Sequence, residues 1–409
     1  MGNHLSKKVT YRSEEEKAQL IIKHWIRIFN IKLERIHGFD KLVIDYVMFL
    51  FIFFIQYQSN VQTFITIAVL MLDTFFSSAK VSSIFYEHNG PVNSIDYSTF
   101  GNCQLLCSGS DDNTVRVWDI ETNKQIQSFN GHSSFVYCVK FSQYHNRNNR
   151  RNVICSSSED KTIRSWDIKD NKQFQTFNGH TLGVNGIEFS QFNSGRYLYS
   201  VSSDKTIRLW DAETSKPLHI FNGHTDIVKC VDISPLQSNG NDSIGLIGGN
   251  GYTFCSGSYD RTIRMWDIET TKQLIVFKGH KYYVSSVKYG SNALGNTILS
   301  GSEDDSIRLW DIRSGKQIRI FIGHAFCVNA VEFSPFVANN IGIGGHSNVI
   351  CSGSSDKRIR FWDIRTNDVL YVVHEYYEEG GVLCLKFLPN KKSYNLCYGS
   401  KNSSICIWG

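Results

Sequence analysis

Histidine, serine and aspartate recur together six times along this chain, each time followed by a tryptophan. The six sets are His88, Ser108, Asp112 and Trp118; His132, Ser156, Asp160 and Trp166; His180, Ser200, Asp204 and Trp210; His224, Ser256, Asp260 and Trp266; His280, Ser300, Asp304 and Trp310; and His324, Ser352, Asp356 and Trp362. One such set could form the base, nucleophile and orienting carboxylate of a hydrolase. An enzyme needs one set, so six equivalent copies favour a structural role. We therefore predict no catalytic residues and no enzymatic activity.

These residues lie in a repeated segment whose clearest copy is SGSEDDSIRLWDI, Ser300 to Ile312. A shorter version runs from Tyr398 to Gly409. The other copies begin at Ser108, Ser156, Ser200, Ser256 and Ser352. Successive tryptophans from Trp118 to Trp408 lie 44 to 56 residues apart. A period of this length indicates a repeat architecture in which each copy is one supersecondary unit.

Each repeat predicts four short strands. A strand such as Lys124 to Phe129 is followed by a turn that ends in Gly-His, and Val136, Val139 and Phe141 are the apolar positions of the next strand. A variable loop, the Ser-Gly-Ser strand, a turn that contains the aspartate and the Trp-Asp strand complete the unit. Four short strands separated by turns form one propeller blade, so the predicted fold class is an all-β, seven-bladed propeller.

The two ends of the repeat region complement each other. Lys80 to His88 aligns with Lys124 to His132, so it is a fourth strand without three strands before it. The last copy stops directly after its tryptophan and lacks that fourth strand. We therefore predict that residues 80–86 complete blade seven, because a ring closed in this way has no open sheet edge at the seam. The propeller domain would then span residues 80–409.

Residues 80–409 resemble the WD40-repeat β-propellers, because Gly-His, Ser-Gly-Ser, Asp and Trp-Asp recur in register. The resemblance implies a hydrogen-bonded tetrad of His, Ser, Asp and Trp that ties the strands of each blade together. It also implies a non-enzymatic scaffold that binds other proteins or peptides. Blade seven departs from the pattern, with Glu378, Tyr398 and Asn402 at the His, Ser and Asp positions. We expect that blade to be the least stable.

In this family the turn after the histidine and the turn that carries the aspartate lie on one rim of the ring. The resemblance implies exposed positions three and five residues after each His and one residue before each Asp. The candidates for partner binding are Asn93, Asp111, Phe135, Tyr137, Glu159, Ile227, Lys229, Tyr259, Tyr283, Ser285 and Glu303. Aromatic side chains surrounded by charged ones are typical of interface hot spots.

The composition favours no other class of ligand. A net charge of +5 over 409 residues is small, so we expect no nucleic-acid partner. The 11 cysteines include no CxxC pair, so we predict no metal, no cofactor and a reducing compartment. The Gly-rich insertions of blades four and six lack the Lys-Ser/Thr of a phosphate loop, and we expect no small-molecule substrate. The insertion after Gln143 carries Arg147, Arg150 and Arg151 and predicts a solvated loop.

Two segments precede the repeats. Residues 1–41 contain Gly2 in an N-myristoylation pattern, and their apolar stripe predicts an amphipathic helix over residues 13–37. Residues 42–79 are hydrophobic, with no charged residue between Asp45 and Asp73. This segment could span a membrane, lie on its surface, be buried as a helix or be unstructured.

Three functional hypotheses follow from these features. The first is a scaffold that presents one rim of the propeller to protein or peptide partners. The second is a membrane-tethered signalling subunit that resembles a G-protein β chain and is lipidated at Gly2. The third is a substrate receptor of a cullin-type ubiquitin ligase, because Trp310 to Arg313 and Trp362 to Arg365 resemble the WDxR box, with Arg313 and Arg365 as adaptor-binding residues. We expect a cytoplasmic protein, at the cytosolic face of a membrane if it is lipidated.

Overall fold

The structure, a computed structural model, describes residues 81–100, 103–149, 151–191, 193–235, 252–290, 294–335, 349–374, 380–389 and 394–409. The predictions for Gly2, for residues 1–41 and for the hydrophobic segment 42–79 lie outside these ranges, as does Glu378. Among the residues described, none of the helices combines the length and the apolar character that crossing a bilayer takes.

The strands of the described residues form seven antiparallel sheets of four strands each. The first four blades contain, from the inner to the outer strand, β2 (Val92–Phe100), β3 (Cys103–Ser110), β4 (Val115–Asp119) and β5 (Lys124–Phe129); β6 (Val136–Phe141), β7 (Val153–Ser158), β8 (Ile163–Asp167) and β9 (Lys172–Phe177); β10 (Val184–Phe189), β11 (Tyr197–Ser202), β12 (Ile207–Asp211) and β13 (Pro217–Phe221); and β14 (Val228–Ile233), β15 (Thr253–Ser258), β16 (Thr262–Asp267) and β17 (Gln273–Lys278).

The remaining three blades follow the same order. They contain β18 (Val284–Tyr289), β19 (Thr297–Ser302), β20 (Ser306–Asp311) and β21 (Lys316–Ile322); β22 (Val328–Phe333), β23 (Val349–Ser354), β24 (Arg358–Asp363) and β25 (Val369–His374); and β26 (Val382–Pro389), β27 (Tyr394–Ser400), β28 (Ile405–Trp408) and β1 (Val81–Phe85). Two short helical segments lie between strands, α1 (Gln143–Asn149) and a 3-10 turn at Asn193–Gly195.

The first and the last described strands close the ring. Strand β1 pairs antiparallel with β28, with Val81 opposite Trp408 and Phe85 opposite Ile405. The inner strands β2, β6, β10, β14, β18, β22 and β26 contact one another in turn, and β26 contacts β2. Their side chains line one central channel, and the apolar faces of neighbouring blades pack against each other around it.

A β-bulge at the start of each inner strand explains an apolar spacing that a regular strand would not allow. Val136 pairs with Ser158 and Cys138 with Ser157, so Tyr137 is an extra residue without a partner in register. The extra residue lets Val136 and Val139 point to the same buried side although they are three positions apart. The same shift occurs after the first residue of the other six inner strands.

The insertion after Gln143 is a short helix, so the prediction of a solvated loop was wrong. Tyr144 and His145 of α1 are buried, and the Tyr144 hydroxyl donates a hydrogen bond of 2.9 Å to Glu213 in blade three. The His145 ring packs edge-on against Phe174 at 5.5 Å. Two aromatic side chains in a polar insertion supply enough apolar surface to fold it back on the neighbouring blade.

Candidate functional site

All six predicted tetrads are assembled with the same geometry. In blade five the Trp310 indole N–H donates to Ser300 Oγ at 2.9 Å, and Ser300 Oγ lies 2.7 Å from His280 Nε2. The other ring nitrogen, Nδ1, lies 2.9 Å from Asp304 Oδ2. Because Trp only donates and a carboxylate only accepts, Ser300 donates to Nε2 and Nδ1–H donates to Asp304. The corresponding distances in the other five tetrads are 2.7 to 2.9 Å.

The glycine of the Gly-His pair is required by this packing. A Cβ atom added to Gly279 would lie 2.9 Å from the Trp310 ring and 2.8 Å from the Arg308 guanidinium. The turn therefore approaches the tryptophan more closely than any residue with a side chain would allow. The same contact recurs at the glycine before each of the tetrad histidines His132, His180, His224 and His324, whereas Glu87 precedes His88.

Burial and hydrogen bonding shift the pKa values of the tetrad groups. Burial alone would raise the pKa of the Asp304 carboxyl, but hydrogen bonds from His280 and Ser306 outweigh it and hold this pKa well below its ordinary value. Burial lowers the pKa of His280, although the hydrogen bond and the charge of Asp304 oppose that shift. A neutral histidine and an ionised aspartate are therefore the stable forms at neutral pH.

The tetrads have no room for a substrate. Ser300 and its five equivalents are fully buried, and each hydroxyl is already engaged by a tryptophan and a histidine. A catalytic serine must reach the substrate atom that it attacks. The arrangement ties the second and third strands of each blade to the turn before the inner strand and to the turn that carries the aspartate, which is a structural role.

Blade seven lacks this network in the part that the structure describes. Tyr398 is buried at the serine position, and Asn402 uses its backbone N–H to bond Ser400 Oγ at 3.0 Å. The indole N–H of Trp408 has no hydrogen-bond partner among the described residues. A buried donor without a partner costs stability, so the seventh sheet has less to hold it than the other six.

The predicted rim is formed by two turns joined through the backbone. In every blade the residue before the aspartate position donates its N–H to the carbonyl of the residue three after the histidine position. Glu159 bonds Phe135 at 3.0 Å, Tyr259 bonds Ile227 at 2.9 Å, and blade seven repeats the bond from Lys401 to Gly381 at 3.0 Å. Side chains from both turns therefore lie side by side on one face.

Exposure differs from the prediction at most rim positions. Only Phe135 and Glu159 of the rim candidates are exposed, whereas Asn93, Asp111, Ile227, Tyr137, Lys229, Tyr259, Tyr283, Ser285 and Glu303 are partly buried. The bulge provides the reason for the positions five after the histidine, because it turns them toward the channel. Asn93 donates to Asp111 at 2.7 Å and to the Val136 carbonyl at 3.0 Å, and so links blades one and two. Ser285 likewise donates to the Val328 carbonyl.

Three exposed apolar side chains on the same rim were not among the candidates. Leu182, Tyr282 and Phe326 lie two residues after a tetrad histidine and are 48%, 57% and 61% exposed. Together with Phe135, which is 44% exposed, they form what we call the apolar rim. The signal in the sequence was a large apolar residue at a fixed offset from Gly-His, where a turn normally carries polar residues.

A second group of rim residues surrounds the entrance of the channel, and we call Tyr137, Lys229, Tyr259 and Glu303 the channel mouth. All four line a cavity of about 330 Å³ that continues into the channel. The Lys229 ammonium lies over the Tyr137 ring, 5.1 Å from its centroid, although the two residues belong to blades four and two. Tyr259 stacks on Tyr283 with ring centroids 4.1 Å apart and planes 4° from parallel.

The charges at the channel mouth are poorly solvated. Burial, together with the charge and the hydrogen-bonding carboxylate of Glu159, raises the pKa of Tyr137 to about 12. Burial lowers the pKa of Lys229 and raises that of Glu303, and the attraction between these two groups only partly opposes the shift on each. Each charged form is therefore less stable here than in water, and an oppositely charged group would stabilise it.

Below the mouth, each inner strand carries one charged residue, and five of these seven residues line the channel. The seven are Asp96, Lys140, Glu188, Asp232, Lys288, Glu332 and Lys386, and the six in blades one to six lie eight residues after their tetrad histidine. Lys140 pairs with Glu188 at 2.5 Å, and Lys386 pairs with Asp96 at 3.3 Å. Lys288 lies 3.4 Å from Asp232 and 3.9 Å from Glu332. These residues were not among the predicted sites, although their constant offset from the histidine is visible in the sequence.

The two arginines of the predicted adaptor box lie at the opposite end of the strands, after the Trp-Asp pairs. Both are exposed. Arg365 pairs with Asp363 of its own box at 3.1 Å, whereas Asp311 accepts a bond of 2.6 Å from Ser314 instead of holding Arg313. Adaptor binding by these residues stays a prediction.

Among the described residues, no group of His, Cys, Asp and Glu has the arrangement of a metal site.

Seven four-stranded sheets, six of them tied by a tetrad, define a seven-bladed β-propeller. The family model described as "WD domain, G-beta repeat" matches residues 79–119, 123–167, 171–211, 215–267, 271–311 and 315–363. The chain therefore belongs to the WD40-repeat family, whose propellers generally serve as platforms for other proteins or peptides. The structure adds a seventh blade to the six matched repeats.

Matches to individual curated proteins are short. The chain is 42% identical over 59 residues to transcription initiation factor TFIID subunit 5 of Caenorhabditis elegans, which is 14% of this chain and 9% of that protein. It is 43% identical over 54 residues to coatomer subunit beta'-1 of Arabidopsis thaliana, a match that covers 13% of this chain and 6% of that protein. It is 38% identical over 61 residues to the human peroxisomal targeting signal 2 receptor, a match that covers 15% of this chain and 19% of that protein. The chain thus covers less than a fifth of each of these relatives.

Proposed function

We propose that this protein is a non-enzymatic scaffold whose apolar rim binds proteins or extended peptides. The observation that carries the proposal is the exposure of Phe135, Leu182, Tyr282 and Phe326 on the turns of one face. These side chains come from blades two, three, five and six, so they surround the channel mouth. Large apolar side chains that remain exposed at fixed positions are typical of an interaction surface.

The membership of the chain in a family of interaction platforms supports the same conclusion. The relatives named above include a receptor for a targeting signal and subunits of larger assemblies, by their names. The buried, fully engaged tetrads support the absence of an enzymatic role, because none of their serines is accessible. Membrane tethering and adaptor binding stay predictions.

Affinity capture from the native cell extract tests the proposal. A variant with Phe135→Ser, Leu182→Ser and Phe326→Ser should lose a defined subset of the captured proteins, because three apolar anchors of the rim are removed. The matched control carries Leu218→Ser, Ile318→Ser and Ile322→Ser, which are equally exposed apolar residues on the outer strands. It should capture the same proteins as the wild type. Identical captures by all three proteins would contradict the proposal.

A further inference from the structure

The rim turns that carry the tetrad aspartates contain a residue with left-handed backbone directly after the aspartate. Residues with a Cβ atom rarely adopt this conformation, and asparagine and glycine accept it with the least strain. Blade one follows this preference with Asn113, at a φ of 67°. Four blades instead place a long cationic side chain there, and we call these residues the basic-turn residues. They are Lys161, Lys205, Arg261 and Lys357, with φ between 66° and 70°.

The turns at the opposite end of the strands, after the Trp-Asp pairs, provide an internal comparison. They contain left-handed residues too, and all of those that the structure describes are uncharged: Asn123, Asn171, Ser215, Thr271, Gly315 and Asn367. The same backbone conformation is thus adopted by small, uncharged residues at one end of the strands and by cations on the rim. Strained residues persist where something other than the local backbone requires the side chain, and they cluster at functional sites.

The basic-turn residues are accessible to a ligand. All four are exposed. Lys161, Lys205 and Arg261 make no ion pair within 4.0 Å with another described residue, and Lys205 donates instead to the Thr225 carbonyl at 3.0 Å. An incoming anion can therefore approach these three side chains without displacing a carboxylate of the propeller. Blade five has Asp305 at the same position, so the cations do not form a closed ring.

The basic-turn residues lie beside the apolar rim. In blade three the Ser202 hydroxyl donates to the Leu182 carbonyl at 3.3 Å, three residues before the lysine of that turn. In blade six the Ser354 hydroxyl donates to the Phe326 carbonyl at 2.9 Å, again three residues before the lysine. Each bond joins the turn that holds an apolar rim residue to the turn that holds a cation. One bound segment can therefore contact both side chains.

The carboxylates of the same face lie closer to the channel. The charges of Glu159 and Asp111 act on Tyr137, and that of Glu303 acts on Lys229, in the channel mouth. The basic-turn residues, by contrast, are not among the described residues that line the channel. A ligand that is anionic over its whole length would be repelled at the mouth. A ligand with apolar residues at its centre and acidic residues on either side matches both zones.

We propose that the partner of the apolar rim is an extended peptide whose apolar residues are flanked by aspartate or glutamate. Its acidic side chains pair with the basic-turn residues Lys161, Lys205, Arg261 and Lys357. The proposal rests on the apolar rim as the surface that holds the central residues of the peptide. Charge complementarity of this kind determines the choice of partner and the rate of association more than the affinity. Each exposed ion pair is expected to change the dissociation constant less than about fivefold.

Selection of peptides from a random display library on the immobilised full chain tests the proposal. We expect the selected peptides to contain more Asp and Glu than the starting library, on either side of apolar residues. The test variant carries K161N, K205N, R261N and K357N, because asparagine is the residue that blade one has at this position. It should melt no lower than the wild type, since asparagine suits left-handed backbone. Its selected peptides should lose the acidic enrichment and keep the apolar one.

The matched control removes the same net charge at the opposite end of the strands. It carries K124N, K172N, K216N and K316N, which replace exposed lysines at the start of four outer strands. It should select acidic peptides as the wild type does. The most enriched acidic peptide should bind the test variant about tenfold more weakly than the control, as expected for the loss of two or more exposed ion pairs. Isothermal titration calorimetry measures both affinities.

Three results would overturn the proposal. They are no acidic enrichment with the wild type, the same enrichment with the test variant, and loss of the enrichment with the control. Phosphatidylserine vesicles and a DNA duplex are the remaining probes. If the wild type binds either of them, the test variant does not, and no acidic peptides are enriched, the basic-turn residues serve a polyanion and the proposal is wrong.

Failure of this proposal is distinguishable from failure of the proposed function. The variant with Phe135→Ser, Leu182→Ser and Phe326→Ser is selected in parallel. If it loses the apolar enrichment while none of the proteins selects acidic peptides, only the pairing with acidic side chains is wrong. If acidic peptides are enriched as expected while the rim substitutions leave the apolar enrichment unchanged, the rim is not the docking surface and the proposed function fails instead.

Discussion

At the scale of single residues, each tetrad aspartate supports more of the blade than one hydrogen bond. Asp304 accepts hydrogen bonds from His280, from the backbone N–H of Lys281 at 2.9 Å and from the N–H and hydroxyl of Ser306. It thereby fixes the turn before the inner strand and the turn before β20 at the same time. Loss of the carboxylate leaves several buried donors without partners.

We predict that Asp304→Ala lowers the free energy of unfolding by roughly 1–3 kcal/mol, because the donors around the carboxylate lose their acceptor. The matched control is Asp305→Asn, which changes the next carboxylate outside the tetrad. Asp305 has a φ of 63°, a conformation that asparagine tolerates well, so the control should stay within about 0.5 kcal/mol of the wild type. Urea denaturation measures both, and equal stability of the two variants would refute the structural role of the tetrad.

The tetrads also predict acid sensitivity. Burial lowers the pKa of five tetrad histidines, His88, His132, His180, His224 and His280. The unfolded chain takes up protons on these groups near pH 6.5 and the folded chain does not, so stability falls as the pH falls below about 6.5. The tetrad aspartates have lowered pKa values too, and they add a second loss of stability below about pH 4.

Urea denaturation at a series of pH values tests this prediction. The slope should be about 1.4 kcal/mol per pH unit for each proton bound on unfolding. Constant stability from about pH 8 to about pH 5 would mean that the buried histidines are not held neutral.

At the scale of elements, blade seven is the one described sheet without a tetrad, and we predict that it is the least stable. It is assembled from both ends of the propeller, and the indole N–H of Trp408 lacks the serine partner that the other six tryptophans have. We predict that the amide groups of β1 and β28 exchange with deuterium faster than those of β20 and β21 in blade five. Mass spectrometry of the exchanged protein measures this, and equal protection of the two blades would contradict the prediction.

The repeat pattern was sufficient to predict the strands and their order in the sheets, because the same apolar and turn positions recur in every copy. Strand β1 could be assigned to blade seven because Lys80 to His88 aligns with a fourth strand. The repeat pattern could not predict the directions in which the rim side chains point. Tyr137 and Lys229 turn into the channel because of a bulge. The three-residue spacing of Val136 and Val139 is consistent with a bulge, but the pairing between strands determines which residue is the extra one.

The inserted helix α1 is a second feature that the sequence pattern could not predict. The segment after Gln143 is polar, so its composition predicts a loop, but Tyr144 bonds Glu213 of the next blade. Contacts between residues far apart in sequence determine that helix. The missed apolar rim is different, because Leu182, Tyr282 and Phe326 could have been found from their constant distance to the histidine.

At the scale of the whole molecule, closing the sheets into a ring separates the buried contacts that support the fold from the exposed side chains of the proposed binding rim. The tetrads and the apolar faces between blades hold a rigid frame, and the turns on one face present side chains that the frame does not need. Rigid presentation lowers the entropic cost of binding an extended partner. Phe135, Leu182, Tyr282 and Phe326 come from four blades, so a partner must cross the mouth of the channel to contact all of them.

Site-specific photo-crosslinking in the native cell tests this account most directly. A photoreactive phenylalanine analogue replaces Phe326 on the apolar rim, and in a second protein it replaces Ile322, which is exposed on the outer strand β21. The account predicts crosslinks to a discrete set of proteins from position 326 and none to those proteins from position 322. Crosslinks from the outer strand alone, or the same set from both positions, would contradict a rim that recognises partners.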